Sequence, residues 1–279
     1  MTVWSLGQRY STAEIAWWQR ISLYCSAMNS METANAIAAP FGSVGMMYYF
    51  DPGTSARGKE LDLDVVSFYA LGRGGVLGDI PASEVDDIFF FFKTGAITGM
   101  YGGGRAKQTA EIGAKAHLVA AEEYAQRTFG GVPTETLAAL NDACAALFDT
   151  LPSGRWPIYD GYRAFGYSGD VIKDAFRNAI LLRELRGGVH TDAIKAANLT
   201  SAEACFLDHD GVYFALHGFQ EDDKPAVTDE TRARRLAAEE DTTVRMANLL
   251  EVLTDAQREA LVAAGNAMQA ALASPVAAS

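Results

Sequence analysis

The chain has 279 residues, of which 49% are hydrophobic and 21% are charged, and its formal net charge at pH 7 is −12. This composition is typical of a globular protein with one large core or two smaller ones, and it excludes the intrinsically disordered class. Nucleic-acid binders need a local excess of Lys and Arg against phosphate, so the acidic balance also disfavours a nucleic-acid partner.

The cysteines and the apolar runs bear on the compartment. Cys25, Cys144 and Cys205 lie far apart and form no CxxC pair, so we expect free thiols in a reducing cytosol rather than a zinc site or disulfides. The first residues lack a basic start followed by an apolar run, and no apolar run approaches the ~20 residues that span a bilayer. The sequence predicts a soluble cytoplasmic protein that does not insert in a membrane.

The first half of the chain is predicted to be helical. Ser11 and Glu14 form a capping box ahead of a first helix, the apolar segment 46–50 favours helix, and residues 61–71 show helical spacing up to Gly72. Ser83 and Asp86 are predicted to cap a helix on which the aromatic run 89–92 covers nearly every face, which implies burial. Gly95, Gly99 and Gly102–Gly104 are expected to let that helix end or pack closely against a neighbour.

The second half is predicted to continue as helices. Two helices are expected at 106–127 and 134–147, and the Pro/Gly/Tyr-rich segment 151–169 is the best candidate for a domain boundary. A long helix is expected at 231–253, followed by one that Thr254 and Gln257 cap and that ends near Leu272. Because period-2 alternation is almost absent, the predicted fold is mainly α.

Residues 170–210 have the outline of a helix-turn-helix: helix, turn at Gly187, helix, turn, and a last helix capped by Thr200 with Glu203. Within it, LLRELRGGVHTDAI at 181–194, after GRWPIYDGYRAF at 154–165, resembles the signature of the actinobacterial SCO-type helix-turn-helix family. The segments 68–92 and 228–253 are also similar to parts of that family. Leu185 departs from the family pattern, which has a histidine there.

The resemblance implies a winged-helix, MarR-like scaffold with a shortened or degenerate wing and long C-terminal dimerisation helices. On this basis we expect a helical domain with an aromatic core at residues 1–150 and a winged-helix-like region at residues 151–279, and a homodimer. The function of the family is largely uncharacterised, so the resemblance bears on fold more than on activity.

The charge of the last helix disfavours DNA reading. A recognition helix usually presents Arg, Lys, Asn or Gln to bases and basic groups to phosphates. Here the helix offers Glu203, Asp208 and Asp210, and residues 198–223 contain no Lys or Arg. A MarR-like, ligand-responsive regulator that binds DNA therefore remains the alternative rather than the favoured function.

The favoured hypothesis is a small-molecule pocket between the aromatic 68–101 region and a turn spanning Arg183–His190. The expected ligand has an anionic group and an apolar body. Cations that hold the anionic group and aromatic side chains that form the wall are predicted to be Arg73, Arg183, Arg186, Tyr69 and Phe90. His190, within reach of Glu184 across the turn, would exchange a proton in any catalysis.

A second interpretation of the Arg/Glu/His group stays open. These residues could form a buried polar lock that fixes the turn between two helices. His209 and His217 lack a third ligand at a recognisable spacing, so the sequence predicts no metal site, and it names no cofactor. Whether any reaction is catalysed is left open.

Overall fold

The structure is a computed structural model that describes residues 28–208 and 211–273. Within these ranges the chain forms helices and no β-strand, which confirms the mainly α prediction. The α-helices in chain order are α1 Ser30–Val44, α2 Pro52–Glu60, α3 Val65–Gly74, α4 Ala82–Ile88, α5 Ala96–Arg105, α6 Ala110–Phe129, α7 Thr134–Phe148, α8 Pro157–Ala164, α9 Val171–Ala196, α10 Ser201–Phe206, α11 Val212–Leu216, α12 Asp229–Leu250 and α13 Asp255–Leu272. Short 3-10 helices lie at Met47–Phe50, Gly75–Leu77 and Glu221–Asp223.

Side-chain caps fix where several helices begin. The Thr200 hydroxyl accepts a hydrogen bond from the Glu203 amide at 3.2 Å, and the Glu203 carboxylate accepts one from the Thr200 amide at 2.9 Å. Thr254 and Gln257 form the same reciprocal pair at the start of α13. Both capping boxes predicted at these positions are therefore confirmed. The predicted box at Ser11 and Glu14 lies outside the described residues.

The predicted turn at Gly187 is wrong, because α9 is one uninterrupted helix of 26 residues. Gly188 serves close packing there rather than a break: a Cβ at this position would lie 2.5 Å from Cδ1 of Trp156. The neighbouring Gly187 faces open space. The chain turns later, at Asn198, which has a positive φ of 52°.

The aromatic run also departs from its prediction. α4 ends at Ile88, and residues 89–92 form a turn rather than a further helical segment. The Asp86 carboxylate accepts hydrogen bonds from the Gly95 amide at 2.8 Å and the Thr98 amide at 3.0 Å, so it caps α5 instead of its own helix. The four phenylalanines of the turn line one cavity, and Phe89 is buried.

Other predicted boundaries shift for local reasons. Gly102–Gly104 lie inside α5 rather than ending a helix. The connector 151–169 contains α8, which starts with Pro157 in the first turn, where a missing N–H costs nothing. The helix expected at 61–71 begins at Val65, capped by Asp64, and continues past Gly72 to Gly74.

α9 is the central helix of the fold. It packs against α1, α6, α7, α8 and α12, while α13 packs against α1 and α7. The main core runs from Ala34 in α1 to Met268 in α13 and includes Phe176 and Leu185 of α9. This core contains residues from both sides of position 150, and the division into domains 1–150 and 151–279 stays a prediction. None of the described helices is both long enough and apolar enough to cross a membrane.

Candidate ligand-binding site

A cavity of about 1270 Å³ lies between α3, the 89–92 turn, α9, α10, α11 and α12. The residues predicted for the site all line it: Tyr69, Arg73, Phe90, Arg183, Glu184, Arg186 and His190. On α9, positions 183, 187 and 190 are spaced three or four residues apart, so they share the face of the helix that borders this space. The pocket therefore borders a helix face rather than an interhelical turn.

Glu184 is held between two arginines from different helices. Its side chain is 2% exposed. Arg73, near the end of α3, donates from Nε at 3.0 Å and from Nη2 at 2.6 Å to the two carboxylate oxygens. Arg183 donates from Nη1 to Oε1 at 2.6 Å. The paired contacts from Arg73 give the geometry in which guanidinium and carboxylate planes match.

The electrostatic balance of this cluster is positive. Burial alone raises the pKa of Glu184, but Arg73 and Arg183 oppose it and hold the pKa below its ordinary value. Burial disfavours the charged form of Arg73, yet Glu184 keeps its pKa well above the usual range. With all three groups ionised, two cations share one anion, and the cluster carries a net charge of +1 at the cavity wall.

Aromatic rings cover the two guanidinium groups. The Arg73 guanidinium lies 4.5 Å from the centroid of Phe89, and that of Arg183 lies 5.6 Å from the centroid of Tyr49. Arg73 also approaches the Tyr69 hydroxyl, at 3.4 Å. Cation–π contacts of this kind orient a guanidinium without neutralising its charge. Tyr49 is buried in the core and also lies in the cavity wall.

His190 does not lie beside Glu184, so the predicted contact across a turn is wrong. Six residues of continuous helix separate the two by about 9 Å along the helix axis. The imidazole instead stacks on Phe91, with ring centroids 5.5 Å apart and planes inclined by 12°. Its Nδ1 lies 2.9 Å from the Thr242 hydroxyl of α12.

The contacts of Thr242 fix the tautomer of His190. The Thr242 hydroxyl donates its hydrogen to the Ala238 carbonyl at 2.7 Å, so it accepts from Nδ1–H of His190. Nε2 is then the unprotonated nitrogen, which accepts hydrogen bonds. Burial lowers the pKa of His190 to about 4, opposed by Glu239 at 3.7 Å. At neutral pH the ring is an uncharged acceptor at the cavity wall.

Arg186 belongs to a second ionic group rather than to the Glu184 cluster. It donates to Glu239 of α12, which also accepts from Arg235 at 3.1 Å. Arg235 in turn lies 3.3 Å from Asp208. Two cations and two anions balance here, so this group joins α9 to α12 without the charge excess found at Glu184.

Cys205 and His217 meet at the end of the cavity formed by α10 and α11. The Cys205 sulfur lies 3.3 Å from Nδ1 of His217 and 3.0 Å from the carbonyl oxygen of Phe91. The sequence alone does not predict the contact between Cys205 and His217. The only signal was a spacing of twelve residues, which has no regular period in a helix or strand. The pairing depends on how α10, the following segment and α11 fold back on one another.

The remaining lining is apolar and aromatic with a small cationic excess. Phe90 packs edge-on to Phe91 with centroids 5.3 Å apart, and the Lys195 ammonium lies 5.0 Å from its centroid. Among the described residues that line the cavity, six are cations and five are acids, in a chain of net charge −12: Arg73, Arg155, Arg183, Arg186, Lys195 and Arg235 against Asp87, Glu184, Asp192, Asp208 and Glu239. The net charge of these described residues differs in sign from that of the chain as a whole.

Among the described residues, no group of three or more His, Cys, Asp or Glu side chains is arranged to hold a metal ion. His209 and Asp210 lie outside the described residues.

Comparison with known proteins gives the family. The model of a helix-turn-helix family matches residues 34–221, which is more than half of the chain. The chain belongs to this helix-turn-helix family. Neither the curated proteins nor the solved structures contain a significant match. The matched region includes α1 to α11 and hence most of the cavity wall, whereas α12 and α13 lie beyond it.

Proposed function

We propose that the protein binds a small molecule with an anionic group and an apolar body in the cavity beside α9. The observation that supports this most directly is the Arg73–Glu184–Arg183 cluster. Its two guanidiniums share a single carboxylate at the cavity wall. A charge excess away from bulk water is costly unless a counter-ion compensates it. A carboxylate, sulfonate or phosphate ester on a ligand would supply that compensation.

The shape and the lining of the cavity support an apolar body on the ligand. Ligand sites usually enclose about 300–1,000 Å³ and combine apolar walls with a few polar groups. The cavity here reaches about 1270 Å³ and presents Tyr49 and Tyr69 next to the two arginines, and Phe90 beside Lys195. In this proposal Arg73 and Arg183 hold the anionic group, and Arg186 borders the same space while paired with Glu239.

His190 supports a further part of the proposal, in which it receives a proton from the bound molecule. Its unprotonated Nε2 follows from the hydrogen bond to Thr242. Glu184 is engaged by two arginines, so in this proposal it positions them and does not itself transfer a proton. In this proposal Glu184 also acts as a buried polar lock, but it joins α3 to α9 rather than bridging a turn.

The proposal is tested with 8-anilinonaphthalene-1-sulfonate, a fluorescent anion with an apolar body, titrated into the purified chain. Arg183→Met keeps the length of the apolar stem and removes the charge. We expect it to weaken binding at least about tenfold, which corresponds to about 1.4 kcal/mol. N-phenyl-1-naphthylamine lacks the sulfonate, and its affinity should be unchanged by the substitution.

Arg57→Met is the matched control, since Arg57 pairs with Glu60 and Glu123 away from the cavity. It should leave both affinities as in the wild type. Equal sulfonate binding by the wild type and Arg183→Met would overturn the anion site. Urea unfolding curves of all three proteins check that the native fold is intact at the temperature of the titration.

The second candidate is a MarR-like, ligand-responsive regulator, which the helix-turn-helix family match favours. Charge opposes it. α10 contains no Lys or Arg, and Arg234 of α12 is turned inward, donating to the carbonyl oxygens of Ala197 at 3.3 Å and Asn198 at 2.6 Å. Its neighbour Arg235 is engaged by Asp208 and Glu239. These cations are occupied by groups of the chain itself.

Binding to a mixed-sequence DNA duplex at about 20 mM salt, followed by fluorescence anisotropy, separates the two candidates. Neutralisation of phosphates makes DNA affinity rise steeply as salt falls. We expect no change in anisotropy even at the lowest salt. A salt-dependent complex would favour the regulator.

We also propose that the chain forms a homodimer through exposed apolar residues of α12. Met246 and Leu250 of this helix are already buried in the core of the chain. Leu236 and Val244 are 72% and 37% exposed, and Leu236 borders the cavity. Light scattering coupled to size-exclusion chromatography should give twice the chain mass, and Leu236→Lys should shift it towards one chain. A wild-type mass of one chain would rule the dimer out.

A further inference from the structure

Cys205 and His217 form a thiol–imidazole pair in the wall of the cavity. Sγ lies 3.3 Å from Nδ1, within the distance of a sulfur hydrogen bond. The Phe91 carbonyl, at 3.0 Å, restrains the sulfur from the other side. Both residues line the cavity. The pair is thus fixed by two contacts and borders the space that would hold a ligand.

Neighbouring contacts hold the imidazole in place. The ring of His217 packs against Phe92, with centroids 4.6 Å apart, and the Lys93 amide donates to the His217 carbonyl at 2.9 Å. The Lys93 ammonium reaches Asp223 at 2.6 Å, which ties the 89–93 turn to the segment after α11. His217 is therefore positioned by the same aromatic turn that borders the arginine cluster.

The pair lies close to the proposed anion site. Phe92 is in contact with His217 on one side and lies 6.2 Å, centroid to centroid, from Tyr69 on the other. Tyr69 in turn approaches Arg73. Two aromatic rings, those of Phe92 and Tyr69, therefore lie between the thiol–imidazole pair and the arginines that would hold an anion.

We propose that Cys205, with His217 as its base, is a nucleophile for small anionic molecules that carry an electrophilic carbon. This rests on the proposed ligand function of the cavity. In the step, the thiol proton, which the resting thiol donates to the Phe91 carbonyl, shifts to an unprotonated His217 Nδ1. The sulfur lone pair forms a C–S bond to the electrophilic carbon, and the electron pair of the broken bond leaves with the leaving group. With iodoacetate the products are S-carboxymethyl-cysteine, iodide and a protonated His217.

Both partners are neutral before the reaction. Burial raises the pKa of Cys205 to about 12 and lowers that of His217 to about 4. Proton transfer therefore accompanies attack rather than preceding it, and removal of the base should slow the reaction. An unassisted buried thiol is inert.

Cys144 supplies an internal control. It is fully buried in the core, does not line the cavity, and burial raises its pKa as well. It should stay unmodified while the fold is intact. Modification of Cys144 in any variant would report that the protein had opened.

The experiment measures the rate at which iodoacetate modifies each thiol of the native Cys25→Ser chain, by peptide mass spectrometry at pH 7.5. We expect Cys205 to react at least about tenfold faster than Cys144. His217→Gln keeps a polar side chain of similar size without a base, and it should slow Cys205 at least about tenfold, in the range of general-base effects. Equal Cys205 rates in the wild type and His217→Gln, or an unreactive Cys205, would overturn the proposal.

Iodoacetamide, the neutral counterpart, separates this inference from the proposed function. If the arginine cluster attracts anions, iodoacetate should be favoured over iodoacetamide, and Arg183→Met should reduce that preference. A His217-dependent reaction without any preference for the anion would support the thiol–imidazole pair while contradicting the anion site. Conversely, a preference for the anion in sulfonate binding together with an inert Cys205 would support the anion site and contradict the thiol–imidazole pair.

Discussion

At the scale of single residues, charged side chains that are buried away from water determine the stability of the site. Glu184 is the clearest case, because its side chain is 2% exposed and both of its oxygens are engaged by guanidinium groups. A buried ion pair adds little compared with an apolar pair of the same shape, but removing one partner leaves the others uncompensated. The stability of the site therefore depends on the carboxylate more than on either arginine.

Glu184→Gln should lower the free energy of unfolding by about 3–5 kcal/mol, the range for breaking a buried ion pair, because two cations would then face each other without an anion. Urea denaturation followed by circular dichroism measures the change. Glu123→Gln is the matched control, since Glu123 pairs with Arg57 while 46% exposed, and it should cost less than about 1 kcal/mol. Similar losses in both variants would contradict this description of Glu184.

The buried His117 predicts a pH dependence. Burial lowers its pKa to about 3, against an ordinary value near 6.5, so the unfolded chain binds a proton that the folded chain does not. Stability is therefore complete above about pH 6.5 and falls as pH decreases towards 3, by up to about 1.4 kcal/mol per pH unit from this residue. His190 and His217 have the same sign.

His117→Gln should make the dependence of unfolding free energy on pH between 7 and 5 less steep by about one proton. The slope is compared rather than the absolute stability, because the substitution also removes the contact with the Tyr48 hydroxyl at 3.3 Å. Urea curves at half-unit pH steps give both slopes. An unchanged slope would mean that the pKa of His117 is the same in the folded and unfolded chains.

At the scale of elements, α9 shows what local patterns can and cannot predict. The capping residues Thr200 and Thr254 marked helix starts correctly, because a cap acts within one turn. The adjacent glycines at 187 and 188 suggested a break, since local propensity disfavours glycine in a helix. The close packing of Gly188 against Trp156 explains why a glycine is accommodated within the helix. Trp156 lies 32 positions earlier than Gly188, beyond the reach of any local pattern.

The same distinction applies to the site. The predicted residues on α3 and α9 border one cavity, since charged and aromatic residues at helical spacing already shared a face. Their partners were not predictable: Arg73 meets Glu184 across 111 positions, and Arg186 meets Glu239 across 53. Long-range pairing follows from the packing of whole helices, which a single sequence does not specify residue by residue.

The two glycines offer a matched pair of substitutions. Gly187→Ala meets open space and should stabilise the protein by about 0.5–1 kcal/mol through better helix propensity. Gly188→Ala would place Cβ 2.5 Å from the Trp156 indole and should destabilise by about 1–3 kcal/mol. Chemical denaturation of the two variants checks the signs. If Gly187→Ala were destabilised, that result would favour the turn at Gly187 that the sequence predicts.

At the scale of the whole molecule, one core connects the two halves of the chain. The α1 residues Ala34 and Phe41 share it with Leu261 and Met268 of α13, and α9 packs against α1 in the same core. We therefore expect a single cooperative thermal transition, with equal calorimetric and van't Hoff enthalpies. Two separate transitions would instead support independent domains at 1–150 and 151–279. Scanning calorimetry distinguishes these outcomes without any substitution.

The positive excess at Glu184 has a consequence for identifying what the protein binds. Under the proposed function, an anion that enters the cavity compensates a charge excess that is buried only in the folded chain, so its binding free energy is added to the stability of the fold. At one hundred times its dissociation constant, a ligand raises the free energy of unfolding by about 2.7 kcal/mol. The melting temperature thus reports ligand binding without any knowledge of the reaction. A library of organic acids can be ranked by the melting temperature of the protein in the presence of each compound.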